Sequence, residues 1–109
     1  MAERKLSDEE LDEMIADATV DAYGDYEKFM SMVCHLDSNM DFPFKAKVLD
    51  DTVEVVGIEV NMSNQGRGVV ANVRKKGKIY TIGLAELTVN PGSENAEWIE
   101  MFHYWLERY

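Results

Sequence analysis

Apolar residues recur at intervals of three and four in the first part of the chain, which is the spacing of one helix face. The first stripe consists of Leu11, Ile15, Ala18 and Ala22. Ser7 and Glu10 form a capping box in front of it. A second stripe runs from Tyr26 to Met40. The pattern predicts two helices that are joined by a short turn at Gly24 and pack as an antiparallel hairpin.

The hydrophobic period changes from about 3.6 residues to two after Pro43. A proline pushes the preceding residue out of the helical region, so Pro43 marks the boundary. Strand-like segments follow at 44–49, 52–60, 68–74 and 79–82, and a short helical turn with a last strand follows at 83–89. Gly57 predicts a bulge within a strand, and Lys76 with Gly77 predicts a tight turn. These features indicate a small, bent antiparallel sheet or partly open barrel of about five strands.

An aromatic stripe follows the break at residues 90–93, and its spacing predicts a final helix. The stripe consists of Trp98, Phe102, Trp105 and Tyr109. We expect this helix to dock on the sheet as part of the core. The chain therefore predicts an α+β fold with an N-terminal helical hairpin, a small antiparallel sheet and a C-terminal aromatic-rich helix. With 109 residues, it predicts one domain over 1–109.

The formal net charge of −10 is large for this length, and acidic residues are concentrated in the first 27 positions. Such a charge attracts cations and disfavours binding to nucleic acid or to anionic membranes. The sequence shows no stretch resembling a signal peptide and none long enough to span a bilayer. Cys34 is the only cysteine, so no internal disulfide forms. We therefore expect a cytoplasmic, monomeric protein with no nucleic-acid or membrane partner.

Three oxygen-bearing side chains occupy every second position where the helical half ends, namely Asp37, Asn39 and Asp41. In a turn, this spacing aims alternate side chains at a common centre. Oxygen ligands with two negative charges suit a hard cation, and calcium tolerates irregular geometry best. The alternative is that Asp37 and Asn39 only end a helix and form a turn.

The same spacing occurs in the first three ligand positions of an EF-hand loop, but the match stops there. The sixth and twelfth positions require glycine and glutamate, and they hold Phe42 and Val48. Any site must therefore recruit ligands from elsewhere in the fold. In an antiparallel hairpin the start of the first helix lies near the end of the second, so Asp8, Glu9 or Asp12 can approach Asp37.

The residues with catalytic potential do not form a recognisable constellation. Cys34 and His35 are adjacent on a predicted helix, and helical neighbours one position apart do not face each other. His103 lies on the distant aromatic helix. One cysteine and two widely separated histidines also lack the spacing of zinc ligands. The sequence therefore does not predict an enzyme.

A local basic hairpin leaves a second function open. It consists of Arg74, Lys75, Lys76 and Lys78. Small barrels present such hairpins to partners, so the alternative function is an interaction module that binds a protein or nucleic acid through residues 74–78. The structural alternative is a charged edge that opposes association between sheets.

Three stretches together resemble the CcbP family, the small acidic calcium-binding proteins of cyanobacteria and other bacteria. They are residues 18–23 (ATVDAY), residues 41–46 (DFPFKA), and residues 96–100 (AEWIE) with the pair YW at 104–105. The resemblance implies calcium as the ligand, a fold that is not an EF-hand, and a sensor or buffer role without catalysis. A sensor would also need a regulatory protein partner.

The resemblance strengthens the interpretation of Asp37, Asn39 and Asp41 as calcium ligands. Their assignment still rests on spacing, because the resemblance supplies no ligand motif residue by residue. Asp50 and Asp51 are adjacent in a predicted turn and are candidates for a second, weaker site. The alternative for this pair is a plain turn.

Overall fold

The computed structural model describes residues 6–108. They form three α-helices and one five-stranded antiparallel sheet. The helices are α1 (Asp8–Ala18), α2 (Gly24–Asn39) and α3 (Ala96–Arg108). The strands are β1 (Phe44–Val48), β2 (Asp51–Ile58), β3 (Val70–Lys75), β4 (Lys78–Gly83) and β5 (Leu87–Thr88). Their order in the sheet is β4-β3-β2-β1-β5, so the sheet is open. The predicted α+β fold is confirmed.

The first helix begins where its capping box predicts. The Ser7 hydroxyl accepts from the Glu10 amide, and the Glu10 carboxylate accepts from the Ser7 amide, both at 3.1 Å. The helix ends at Ala18, before the β-branched Thr19, so Ala22 at the end of the apolar stripe lies in the following turn.

The second helix begins without a side-chain cap. Helix α2 already begins at Gly24, and Tyr23 occupies the N-cap position without a side-chain cap. The Tyr23 amide instead donates to the Glu27 carboxylate at 2.9 Å. Gly24 has a φ of 81°, so it turns the chain into α2, not out of α1.

The core joins all three helices to the inner face of the sheet. Helix α1 packs against both α2 and α3. The Ser31 hydroxyl of α2 donates to the Ala18 carbonyl at the end of α1. The predicted aromatic stripe is largely buried, and the Trp105 ring lies 6.1 Å from Phe102 and 6.2 Å from Phe29. Tyr109 lies outside the described residues.

The structure contains the β-bulge and the tight turn that the sequence predicts. The β2–β3 register shifts between Val55 and Gly57, which is the expected bulge. Lys76 and Gly77 have φ values of 52° and 78°, and they join β3 to β4 in a two-residue hairpin turn. No helix within residues 6–108 combines the length and the apolar character needed to cross a membrane.

We expect burial of His103 to make the stability sensitive to mild acid. Its Nε2 atom is buried without a hydrogen-bond partner among the described residues. Burial lowers the pKa of His103 below its ordinary value of 6.5, against the opposing effects of a hydrogen bond with the Ala85 backbone and of the Glu107 charge. The folded state prefers the neutral ring, whereas the unfolded chain binds a proton as the pH falls below about 6.5. The contribution of His103 to the free energy of unfolding is therefore constant above this pH and declines below it.

Thermal unfolding measured between pH 7.5 and pH 5.5 checks this expectation. The His103→Gln variant should show a flatter dependence of melting temperature on pH than the wild type. His35→Gln is the matched control, because it also removes one imidazole from a helix and should leave the decline in place. Equal slopes in both variants would show that His103 does not cause the decline.

Candidate metal centre

Helix α2 continues to Asn39, as its apolar stripe predicts, through two of the three residues that the site hypothesis places in a turn. Asp37 and Asn39 lie in its last turn, Met40 is the C-cap, and Asp41 follows it. Residues two apart on a helix are separated by about 200° around the axis, so Asp37 and Asn39 point to different sides. The Asn39 amide nitrogen donates to the His35 carbonyl at 2.8 Å. The structure therefore places these side chains around the end of a helix, all exposed, and not around the centre of a loop.

The end of α2 offers neutral oxygen atoms as well as carboxylates. The Met40 amide donates to the Leu36 carbonyl at 3.0 Å, and this bond closes the helix. The carbonyls that follow have no intrahelical partner, as at every helix C-terminus. The last turn contains no basic residue that would occupy this negative end of the helix dipole. A cation is therefore favoured here.

A buried asparagine fixes the backbone of Asp41. The Asp41 amide donates to Asn95 Oδ1 at 2.9 Å, and Asn95 Nδ2 donates back to the Asp41 carbonyl at 2.8 Å. Asn95 is fully buried. Its own carbonyl accepts from the Ile99 amide, so it stands directly before α3. This pair of bonds ties the end of α2 to the start of α3.

Aromatic contacts surround the same junction. The His35 ring meets the Trp98 ring edge to face at 5.6 Å, and the Phe42 ring lies 5.7 Å from Phe44. The Phe42–Pro43 peptide bond is cis. The His35–Trp98 contact joins α2 to the first turn of α3.

Asn95 is not among the site residues that the sequence predicts. The available signal was an asparagine directly before a helical stripe, which is a preferred N-cap residue. That signal predicts a local cap, whereas the Asn95 side chain reaches a segment 54 positions away.

Asp8 and Asp12 of α1 have partners on α3, contrary to their expected approach to Asp37. Tyr104 Oη donates to Asp12 Oδ1 at 2.9 Å, and Arg108 lies 3.5 Å from an Asp8 oxygen. Burial and the hydrogen bond to Asp12 raise the pKa of Tyr104. The start of α1 thus lies beside the second half of α3.

No three His, Cys, Asp or Glu side chains converge within the described range 6–108 in a way that could hold a metal ion. Side chains at the end of α2 therefore cannot form a complete shell in this conformation. An ion at this position would draw its remaining ligands from backbone carbonyls and water, which calcium accepts readily.

The second candidate pair lies at the tip of the β1–β2 hairpin, where Asp50 precedes Asp51. Asp51 forms an ion pair with Lys75 at 2.7 Å, and this bond lowers the pKa of the Asp51 carboxyl. The lysine already supplies a positive charge at this carboxylate. The five residues of β1, roughly 15 Å when extended, separate this tip from the end of α2. The two predicted sites are therefore independent.

Fold and charge together define a small acidic α+β protein with a candidate cation site at a helix end. The model of the CcbP family, which is described as calcium binding, matches residues 12–106, and the chain belongs to this family. The resemblance found in the sequence is thereby confirmed. None of the curated proteins matches the chain.

Two solved structures share the fold. The crystal structure of Anabaena CcbP is 24% identical, with a TM-score of 0.73, and the match covers 97% of this chain and 95% of that one. A calcium-binding protein in its calcium-binding form is 26% identical, also with a TM-score of 0.73, and the match covers 93% of this chain and 92% of that one. The first likeness shows the fold alone.

Proposed function

We propose that the protein is a cytoplasmic, monomeric calcium-binding protein that acts as a sensor or buffer without catalysis. The observation that carries this proposal is the match of residues 12–106 to a family described as calcium binding. A similar structure, 26% identical, is a calcium-binding protein in its calcium-binding form, which supports the same ligand.

We infer that calcium binds at the end of α2 through Asp37, Asn39 and Asp41, and that the last helical turn rearranges on binding, because Asp37 and Asn39 point to different sides of the intact helix. Two carboxylates and one amide oxygen supply three side-chain ligands, and calcium takes roughly six to eight oxygens. The free carbonyls of the last helical turn and water supply the rest. Asn39 uses its amide nitrogen to bond the His35 carbonyl, which leaves its Oδ1 oxygen as the ligand atom. This arrangement is not an EF-hand, because a helix end replaces the twelve-residue loop.

The electrostatics of the helix end support a divalent cation at this position. The last turn of α2 has no basic residue, and the whole chain carries a net charge of −10. The hairpin tip is the weaker candidate, since Lys75 must leave Asp51 before an ion can bind there.

Calorimetric titration of chelator-treated protein with calcium chloride tests the proposal. The titration is made at physiological salt with magnesium in excess, because magnesium demands strict octahedral geometry and should not displace calcium from an irregular site. We expect saturable calcium binding in the micromolar range or tighter, about −8 kcal/mol or stronger. If the titration shows no heat and calcium does not raise the melting temperature, the proposal is contradicted.

Tryptophan fluorescence during the same titration separates a sensor from a buffer. Trp98 contacts His35 beside the proposed site, and Trp105→Phe leaves it as the only tryptophan. A sensor needs two conformations with different calcium affinity, and its Trp98 signal should follow the binding isotherm. A buffer fills a preformed site, and its signal should stay nearly constant.

A further inference from the structure

The outer edge of β4 is unpaired among the described residues. Strand β4 is the last in the sheet order, and none of its six residues is buried. Ile79 and Tyr80 are each 52% exposed, although both are large apolar side chains. An exposed edge of this kind is a template for one more strand.

The turn geometry shows which backbone groups face outward. A two-residue turn is flanked by a hydrogen-bonded pair, here Lys75 and Lys78, and bonded residues then alternate along the strand. The Leu84 amide continues this series, because it donates to the Val69 carbonyl at 2.8 Å. The intervening residues Ile79 and Thr81 therefore present their amides and carbonyls to solvent.

A carboxylate of the chain itself already uses the next outward amide. The Gly83 amide donates to Glu86 Oε2 at 3.3 Å. This contact shows that the Gly83 amide faces away from β3 and donates to a carboxylate partner.

The charge near this edge is opposite to that of the whole chain. Arg74 is paired with Glu54 at 2.9 Å, and Lys75 is paired with Asp51. Lys76 and Lys78 are exposed and form no ion pair within residues 6–108. The hairpin therefore leaves two free ammonium groups beside the open edge.

A cleft of about 320 Å³ lies at the other end of β4. It is lined by Arg67, Val70, Thr81, Ile82, Gly83 and Glu86. Val70 and Ile82 supply aliphatic surface, and Arg67 is exposed at the rim. This volume accommodates one aliphatic side chain from a strand that lies along β4.

We propose that the β4 edge binds an extended acidic segment of a partner protein by strand addition. Backbone bonds to Ile79 and Thr81 supply affinity, an aliphatic side chain fills the cleft, and acidic side chains lie beside Lys76 and Lys78. A second copy of the chain is disfavoured as the occupant, because its β4 edge carries the same lysines. Nucleic acid is disfavoured, because the outward amides and carbonyls of a strand edge match the hydrogen-bonding pattern of another peptide backbone.

The test uses a fluorescein-labelled peptide with alternating valines followed by a run of glutamates, and anisotropy as the readout. The control peptide carries lysines in place of the glutamates. Thr81→Pro removes one outward amide, and an edge strand tolerates proline where the N–H faces solvent. Thr81→Val is its matched control, because it keeps the amide. Lys78→Glu tests the charge, and Lys28→Glu makes the same charge change on the exposed surface of α2.

We expect the acidic peptide alone to bind, with a loss of about tenfold or more in Thr81→Pro and Lys78→Glu and little change in the two controls. The NMR signals of the Ile79 and Thr81 amides should shift on binding. If Thr81→Pro fails to fold, these shifts in the unsubstituted protein test whether the peptide binds at the β4 edge. Absence of binding, or equal affinity in Thr81→Pro and Thr81→Val, would overturn the proposal. So would equal competition by single-stranded DNA, or a dimer in light scattering that Thr81→Pro abolishes.

Discussion

Replacing Asp37 with alanine should lower the calcium affinity about tenfold or more, a loss of about 1.4 kcal/mol in binding free energy. The carboxylate count of a site tunes its affinity for calcium, and Asp37 is one of the two carboxylates of the proposed site. The last helical turn contains no basic residue that would offset the partial negative charge of the helix dipole, which attracts the ion. Calorimetric titration of the chelator-treated variant measures the effect.

The control for this experiment is Asp17→Ala. Both substitutions remove one negative charge from an exposed helical position, so both reduce long-range attraction to the same degree. Asp17 lies on α1 and is not a proposed ligand, and its removal should change calcium affinity only slightly. An equal loss in both variants would indicate diffuse attraction by the acidic surface. An unchanged titration of Asp37→Ala would exclude Asp37 from the site.

Secondary structure follows from the sequence wherever its cause is local. The capping box at Ser7 and Glu10 involves residues three apart, and the Lys76–Gly77 turn involves two neighbours. Gly57 marks the bulge because glycine weakens the interior of a strand and occurs there mainly at bulges and bends. Each of these features is determined by backbone geometry and short-range hydrogen bonds, which spacing and residue type describe directly.

At the end of α2, alternating polar residues and the apolar stripe of the helix predict different structures. Asp37, Asn39 and Asp41 have the spacing of a turn, yet the helix continues to Asn39. Leu36 and Met40 extend the apolar stripe across the same positions, and both are buried in the core. Burial of that stripe stabilises the helix more than alternating polar residues favour a turn. The resemblance to the CcbP family therefore predicted the family correctly, whereas the ligand assignment stays a prediction.

Contacts between distant parts of the chain could not be predicted from periodicity. Asp12 meets Tyr104 across 92 positions, and Asp41 meets Asn95 across 54. A single sequence gives no signal for such pairs, because a polar residue in a loop has the same local pattern whether it is solvated or buried. Asn95 is the main example, since a side chain type that is usually exposed is enclosed completely.

Replacing Asn95 with alanine should destabilise the protein by about 2–4 kcal/mol and weaken calcium binding. The substitution removes two hydrogen bonds of about 1 kcal/mol each and leaves the amide and carbonyl of Asp41 without their partners in a partly buried position. Asn90→Ala is the matched control, because it makes the same change at an exposed position before α3 and should cost less than about 0.5 kcal/mol. Urea unfolding in the presence of a chelator measures both.

Calcium affinity of the folded Asn95→Ala protein then separates two roles of this residue. If Asn95 only joins α2 to α3, the variant binds calcium normally once the folded fraction is taken into account. If it positions Asp41 as a ligand, affinity falls further than the loss of folded protein explains, because a mobile ligand must be ordered when the ion binds. Asn95→Ala and Asp41→Ala would then weaken binding less in combination than the sum of their separate effects, since both remove the same contribution. Additive effects would mean that Asn95 acts on stability alone and that Asp41 does not depend on it to reach calcium.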